Sequence, residues 1–341
     1  MVTYVGIDLG TSTVKLVCGE TKYLIPSIIG EPNPGWQGMT IDQTLEHNLV
    51  IIEGNTEWYV GELARTQSEV KLPLAAEGQM KSAENTFIAT KAALSLVMQE
   101  PEEEFVIGTG VPVSTSMEVM KNLSRMLKGE MKISVRNDAS GERFDYTANV
   151  LKTLVMPEPY GTYFKILKDR GEETAVDTVI IDIGHGTTDI LTMYQGRPMR
   201  TASGAIVEAT DTLTVRMARA LQDKTGAIIK PFDLMTAISK GKNQVMISGK
   251  YYAIDDLKIY YAKQIADIII DETMRLIATL PPDAFIEYFI IAGGGAYTFG
   301  QQIRNEIIAR KLVSEGDKVV IPKDPVLSNA AGFELIAQSQ I

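Results

Sequence analysis

The sequence predicts an α/β protein of two domains, each a mixed β-sheet flanked by helices. Three observations lead there. Residues 178–191, Thr-Val-Ile-Ile-Asp-Ile-Gly-His-Gly-Thr-Thr-Asp-Ile-Leu, run from an apolar strand into a turn of glycines and hydroxyls and out into a second apolar run, a hairpin pattern. Residues 4–17, Tyr-Val-Gly-Ile-Asp-Leu-Gly-Thr-Ser-Thr-Val-Lys-Leu-Val, repeat it, and aligning Asp8 with Asp182, 174 residues apart, also aligns Gly10 with Gly184. That period is half the chain rather than the roughly 20 to 50 residues of a solenoid, so it marks duplicated domains. Third, 341 residues at 45% hydrophobic and 22% charged content suffice for two ordinary globular cores.

Such a turn offers a particular chemistry. Glycines let the main chain reach positive φ and bring successive N–H groups towards an anion, while the threonine hydroxyls add donors. Asp182, at the end of its strand, is placed to hold a metal ion through water. Taken alone, a glycine-rich hairpin is just a tight turn. Two related hairpins, one at the head of each half, favour a pair that grips a polyphosphate between them.

Net charge is −10, which argues against a general nucleic-acid grip through phosphate neutralisation. A bound nucleotide would then need Mg²⁺ and backbone donors to offset its charge. Cys18 is the single cysteine and His47 and His185 the only histidines, so an intramolecular disulfide and a zinc-ligand cluster are both excluded. No apolar run approaches the roughly 20 residues of a membrane span, and no signal-peptide pattern precedes the first strand. These features fit a cytoplasmic protein without a membrane partner.

Along the chain, residues 23–29 read as a strand interrupted by Pro26, hence at a sheet edge. A loop rich in glycine and proline at 30–40 and a hairpin at 49–61 complete a β-rich insertion, about 23–75. Residues 84–99 have helical spacing, and the glutamates from Glu100 to Glu104 read as a solvated run. A buried strand at 105–113, a helix at 116–127 and two strands within 131–156, turning at 137–141, follow. Pro157 and Pro159 bracket Glu158, which reads as a carboxylate on a rigid loop before a helix at 162–169, or simply as a surface glutamate.

Beyond the second hairpin, Ser203 opens a helix-rich region through Leu221, continued at 233–247 and 255–280 and broken by a hairpin at 245–254. Ile265, Ile268, Ile269, Leu276 and Leu280 read as one core stripe. Tyr-Phe-Ile-Ile-Ala-Gly-Gly-Gly-Ala-Tyr at 288–297 then runs from strand to helix, the helix spanning 299–311. That places a helix N-terminus and bare backbone beside any ligand, though such turns also serve close packing. A last helix, about 327–339, carries small residues suited to close packing.

As a set, these segments resemble the actin, sugar kinase and Hsp70 ATPase superfamily over nearly the whole chain. Asp8 to Lys15 looks like its first phosphate loop, Asp182 to Asp189 like its second and Ile291 to Ala296 like its adenosine segment, while 105–113 and 328–332 look like its two interdomain connections. The length, Ile25-Pro-Ser-Ile, Tyr59-Val-Gly-Glu-Leu-Ala and Thr109-Gly-Val-Pro-Val look most like ParM-type plasmid-segregation proteins and archaeal actin-like proteins.

The resemblance implies two actin-like (ribonuclease H-like) domains, 1–170 and 171–341, with a nucleotide cleft between them. It implies a helical insertion at about 216–270 and a C-terminal helix that packs back on the first domain. It further implies an ATPase that binds ATP or ADP with Mg²⁺ and self-associates into filaments, in plasmid or DNA segregation with a DNA-bound adaptor protein, or as a prokaryotic cytoskeleton. By residue, Asp8 and Asp182 match the carboxylates of the Mg²⁺ water shell, and Asp182 also the residue orienting the attacking water. Gly10, Thr11, Ser12, Thr13 and Lys15 match the first phosphate cradle, and Gly184, Gly186 and Thr187 the second. Glu158 falls where the family positions the hydrolytic water, and Gly293, Gly294, Gly295 and Ala296 fall where it lines the nucleoside. His185 departs from the family, which has glycine or aspartate there; it is either a titratable charge beside the γ-phosphate or a side chain turned away from it. Small-molecule kinases and monomeric nucleotide switches share the superfamily. Phosphate transfer to an added acceptor would mark the first, and ATP binding without assembly the second.

Overall fold

The computed structural model describes residues 2–33, 40–74, 82–171 and 176–339. They fall into two compact units, residues 1–170 with 327–341, and residues 171–326. The sequence reading of a loop at 30–40 lies partly outside the described residues, as does the insertion boundary near 75.

In the first unit the strands are β1 (Val2–Leu9), β2 (Thr13–Cys18), β3 (Thr21–Pro26), β4 (Ile28–Gly30), β5 (Leu49–Glu53), β6 (Thr56–Val60), β7 (Lys71–Pro73), β8 (Glu102–Val111), β9 (Gly129–Asn137) and β10 (Arg143–Pro157). They form one mixed sheet in the order β3-β2-β1-β8-β10-β9-β5-β6-β4-β7. β1, β8 and β10 are parallel to one another, and β8 is buried from Phe105 to Val111, which explains its unbroken apolar and small-residue run. β3 is an edge strand and ends on Pro26, whose missing N–H costs least there. The strands after it form no separate sheet, because β5 pairs with β9, Leu49 opposite Asn137, and so carries β4 to β7 onto the core sheet.

The helices of this unit are α1 (Glu62–Gln67), α2 (Ala83–Ser95), α3 (Met117–Met126), α4 (Glu158–Arg170) and a C-terminal helix (Ser328–Gln338). Ser82 and Ser116 cap α2 and α3, each accepting a hydrogen bond from a backbone N–H three residues on. α2 buries Ile88, Ala89, Ala92, Ala93 and Leu94 in a core shared with Val5, Ile7, Ile51 and Ile133. Each large aliphatic side chain buried there contributes about 1.5–3 kcal/mol. Two expectations need correcting. Glu158 is not on a loop: it is the first residue of α4, since a proline at the second helical position forfeits only an N–H that has no intrahelical partner. Glu103 is not merely solvated, because its carboxylate accepts the Gln99 and Glu100 backbone N–H groups and closes the turn into β8.

The C-terminal helix lies on β1, β8 and α4 with backbone against backbone. A Cβ at Gly6 would collide with the Ala330 carbonyl, one at Gly108 with the Phe333 carbonyl, and one at Gly161 with the Asn329 carbonyl. In return, a Cβ at Gly332 would collide with the Gly161 carbonyl. Glu334 on the same helix accepts the Gly19 N–H at 2.6 Å, and burial raises its pKa. The neighbouring Cys18 thiol is pushed up to about 11, first by burial and then by Glu334 and Glu103.

The second unit has strands β11 (Thr178–Ile183), β12 (Thr188–Tyr194), β13 (Arg197–Pro198), β14 (Gly204–Ile206), β15 (Gln244–Ile247), β16 (Lys250–Ala253), β17 (Tyr288–Ala292) and β18 (Val319–Val320). Its main sheet runs β13-β12-β11-β17-β18, with β14 also on β12 and β15-β16 a separate hairpin. The directions match those of β3-β2-β1-β8-β10: two antiparallel pairings, then two parallel ones. Helices α5 (Thr210–Thr225), α6 (Pro231–Ser239), α7 (Asp255–Ile277) and α8 (Ala296–Ala309) complete it.

Helix does not start at Ser203, because Gly204 to Ile206 pair with β12 and α5 begins only at Thr210. The core stripe of α7 keeps Ile265, Ile269 and Leu276 but not Ile268, which is 40% exposed. At 100° per residue Ile268 points about 120° from the centre of the face buried by Ala262, Ile265, Ala266, Ile269, Ile270, Thr273 and Leu276. Leu280 lies beyond the helix end, half-buried. Residues 216 and 270 both fall inside helices, α5 and α7, which are core elements of the unit.

The glycine contacts of the C-terminal helix generate a test. Gly332→Val is expected to destabilise the first unit by about 3 kcal/mol or more, since a branched side chain has to displace the backbone of α4. Urea unfolding monitored by circular dichroism reads this, and an unchanged midpoint contradicts the packing.

Candidate functional site

Both hairpins turn at the carboxyl ends of parallel strands, where open α/β sheets bind ligands. In the first unit Asp8 is the penultimate residue of β1, 2% exposed and directly opposite Lys15 on β2. Lys15 Nζ donates to Asp8 Oδ2 at 2.9 Å. Asp8 Oδ1 is buried and has no hydrogen-bond partner among the described residues. The turn of Gly10, Thr11 and Ser12 leads into Thr13, the first residue of β2, with Thr11 and Ser12 exposed. A Cβ at Gly10 would stand 2.6 Å from the Thr13 carbonyl oxygen and 2.9 Å from Lys15 Nζ, so glycine is what lets this turn close.

The turn is tied from behind by buried Ser27, whose Oγ donates to the Gly10 carbonyl at 2.6 Å and whose N–H donates to the Ser12 carbonyl at 3.0 Å. Ser27 was missed as a site residue, although it follows Pro26 in the Ile-Pro-Ser-Ile segment. Its signal was a lone serine between apolar neighbours.

Glu158 shares this edge of the sheet. β10 pairs Met156 with Gly110 and Pro157 with Val111, so Glu158 follows directly at the carboxyl end of β10, and β1 ends two strands away, about 10 Å by normal strand spacing. Its stem fills the space that a side chain at Gly110 would take, with Glu158 Cγ 2.9 Å and Phe333 Cζ 2.5 Å from the Cβ position.

In the second unit Asp182 on β11 is 8% exposed and directly opposite Asp189 on β12, 4% exposed. Two carboxylates facing across one hairpin repel, so a cation or strong donors stabilise the arrangement. Asp189 stands where the first hairpin has Lys15, and its partnership with Asp182 is set by the register rather than by local composition. The turn runs Gly184, His185, Gly186, Thr187, closed by the Gly184 N–H donating to the Thr187 carbonyl at 2.9 Å, with Gly186 and Thr187 exposed. It is anchored on the start of α5, where the Asp211 N–H donates to the His185 carbonyl at 2.9 Å and Thr210 Oγ1 to the Gly184 carbonyl at 3.2 Å. His185 is half-buried with Nδ1 3.3 Å from Thr210 Oγ1, so its ring is engaged with α5.

The glycine cluster lies beside Asp182, because β11 and β17 pair Asp182 with Ala292. The three glycines are not equivalent. Gly293 has φ +77° and its missing side chain makes room for Asp182 Oδ1 and the Ile183 carbonyl, while Gly295 is buried against the Ile183 side chain. Gly294 alone is exposed with open space at its Cβ position. Ala296 is 5% exposed and belongs to the hydrophobic core of this unit.

A Mg²⁺ ion fits these residues only through water. Among the described residues no group of three or more His, Cys, Asp and Glu stands close enough to hold a metal unaided. Within its own unit, the buried Asp8 oxygen without a hydrogen-bond partner among the described residues suits a hydrated cation, and so, within the other unit, does the facing pair Asp182 and Asp189.

No curated protein sequence matches the chain. Residues 6–161 match the family described as actin like proteins N terminal domain, and residues 180–305 the family described as archaeal actin homologue MreB-like, C-terminal. Among solved structures, the archaeal actin homolog Ta0583 is 20% identical with a TM-score of 0.78, covering 99% of each chain. Its complex with ADP gives 20%, 0.76 and 99% of each. A 15-stranded ParM filament from Clostridium botulinum gives 20% and 0.76, over 99% of this chain and all of the other. At these identities the structures establish the fold, two domains of the actin-like kind.

The glycine cluster yields the test of this geometry. Gly293→Ala is expected to destabilise the second unit by about 2 kcal/mol or more, from strain at positive φ and collision with Asp182 and Ile183. Gly294→Ala is expected to stay within about 0.5 kcal/mol. Paired urea titrations decide it: equal effects refute the inequivalence of the two glycines.

Proposed function

The chain is an actin-like protein in both halves, and from that premise we propose that it is a cytoplasmic ATPase that binds Mg-ATP through its two hairpins and assembles into nucleotide-dependent filaments serving DNA segregation or a prokaryotic cytoskeleton. The observation that carries this reading is the repetition of one device: in each unit a buried aspartate is the penultimate residue of a parallel strand and is followed by a glycine turn that exposes hydroxyl side chains, Thr11 and Ser12 in the first unit and Thr187 in the second. A relative of the same fold is described as a complex with ADP and another as a filament, which supports both parts of the reading.

The chain's own residues have distinct tasks in it. The backbone N–H groups and hydroxyls of 10–13 and 184–187 cradle phosphate oxygens, and Lys15, now on Asp8, is in reach of the same turn to meet a phosphate. Asp8 and Asp182 accept hydrogen bonds from metal-bound water. Mg²⁺, when bound, supplies charge neutralisation at the phosphate oxygens. Glu158, a carboxylate at a helix N-terminus, accepts a hydrogen bond from the attacking water and aims its lone pair at the γ-phosphorus. The nucleoside rests against Gly293 and Gly294, with buried Gly295 and Ala296 supporting the turn from beneath.

Glu158→Ala is expected to lower kcat for ATP hydrolysis at least tenfold and to leave nucleotide affinity within about twofold, because a water-positioning group acts in the transition state. Phosphate release assays with ADP titration check this, and parental turnover removes Glu158 from the mechanism. For assembly, Mg²⁺ with a non-hydrolysable ATP analogue is expected to yield polymers by sedimentation and electron microscopy, since a head-to-tail contact that does not close gives an open polymer. A particle that stays monomeric at high concentration rejects the filament, and phosphate transfer to an added small-molecule acceptor would replace the reading with a kinase.

A further inference from the structure

Resting on the reading of Glu158 as the water-positioning carboxylate, we propose that Thr162 and Asn329 are positioning residues that hold Glu158 in its working orientation. Thr162 lies one turn after Glu158 on α4 and is fully buried. Its Oγ1 donates to Asn329 Oδ1 at 2.6 Å, its N–H meets the same oxygen at 3.2 Å, and Ser328 Oγ is 2.7 Å from Oγ1. A hydroxyl has one proton, so with Thr162 donating to Asn329, Ser328 donates to Thr162. Ser328 and Asn329 are themselves 3% and 5% exposed.

Three polar side chains are thus buried at a contact that glycines already make close. Gly161 and Gly332 bring the two helices together without any polar group, and burying hydroxyls and an amide gives little net stability even when they are satisfied. What the hydrogen bonds add is direction. Glycine surfaces slide, and a slip of α4 by one residue moves Glu158 about 1.5 Å along the axis and turns it about 100°. Displacements of about 1 Å are enough to cost catalysis dearly. The Asn329 amide oxygen, taking both donors of Thr162, is satisfied in one register only. Phe333, one turn beyond Asn329, completes the clamp by lying beside the Glu158 stem over Gly110.

The test is a mutant cycle on the full chain. Thr162→Val keeps the shape and removes both side-chain hydrogen bonds. It is expected to lower kcat about tenfold with ADP and ATP affinity within twofold, and Thr162→Ser to restore kcat to within twofold of the parent. In the Glu158→Ala background, Thr162→Val is expected to change kcat by less than twofold. Ser328→Ala, a milder change should Thr162→Val not fold, is expected to lower kcat two- to fivefold, again only where Glu158 is present. Equal losses in both backgrounds mean a general structural role and overturn the proposal, as does full activity of Thr162→Val. Parental kcat for Glu158→Ala alone, with Thr162→Val still impaired, instead refutes the underlying assignment of Glu158.

Discussion

The absence of side chains where the C-terminal helix meets β1, β8 and α4 is the constraint on which the first unit depends. Gly6, Gly108, Gly161 and Gly332 replace side-chain packing with backbone contact, and Gly110 leaves room for Phe333 and Glu158 together. These contacts fix the two parallel strands whose carboxyl ends carry the site, and the helix whose first residue is Glu158. A methyl group at any of the four collision points would push apart elements that hold Asp8 and Glu158 on one sheet edge. Interiors packed at crystal density pass such displacements on rather than absorb them.

The two units use one strand order and one turn position, yet the residue facing the buried aspartate differs in sign. Opposite the strand-end aspartate stands Lys15 in the first unit and Asp189 in the second. The first hairpin is therefore an internally balanced ion pair with one carboxylate oxygen turned elsewhere, and the second a pair of like charges. The second arrangement calls for positive charge or donors, whereas the first already holds its own cation. The same hairpin frame thus carries opposite charge at one position.

Much of this was legible in the sequence because it is local. The aspartate-glycine hairpins, the strand running into three glycines, and the helix from Ser116 are patterns of neighbouring residues, and the structure builds them where they are read, while the helical spacing at 84–99 becomes a helix that ends already at Ser95. The rest depends on partners far along the chain. Nothing in Leu49 to Glu53 announces β9 as its neighbour, so the joining of the β-rich segment to the core sheet is visible only in the structure. The roles of Gly293, Gly294 and Gly295 diverge only once Ile183 is placed beneath two of them. Thr162 and Asn329 have no local signature at all, and their relation exists only because the last helix returns to the first unit.

That return has a consequence for how the protein is made. The glycine face of β1 is covered by Ala330 and Glu334, more than 320 residues further along the chain. Residues 171–326 form a unit of their own between them. During synthesis the intervening unit can therefore fold to completion while its elder neighbour waits with an open seam of bare backbone. Such long-range closure is slow and leaves sheet and helix surfaces open to association meanwhile. Closure of the first unit over β1 and α4 therefore waits on a helix that lies beyond residues 171–326 in the chain.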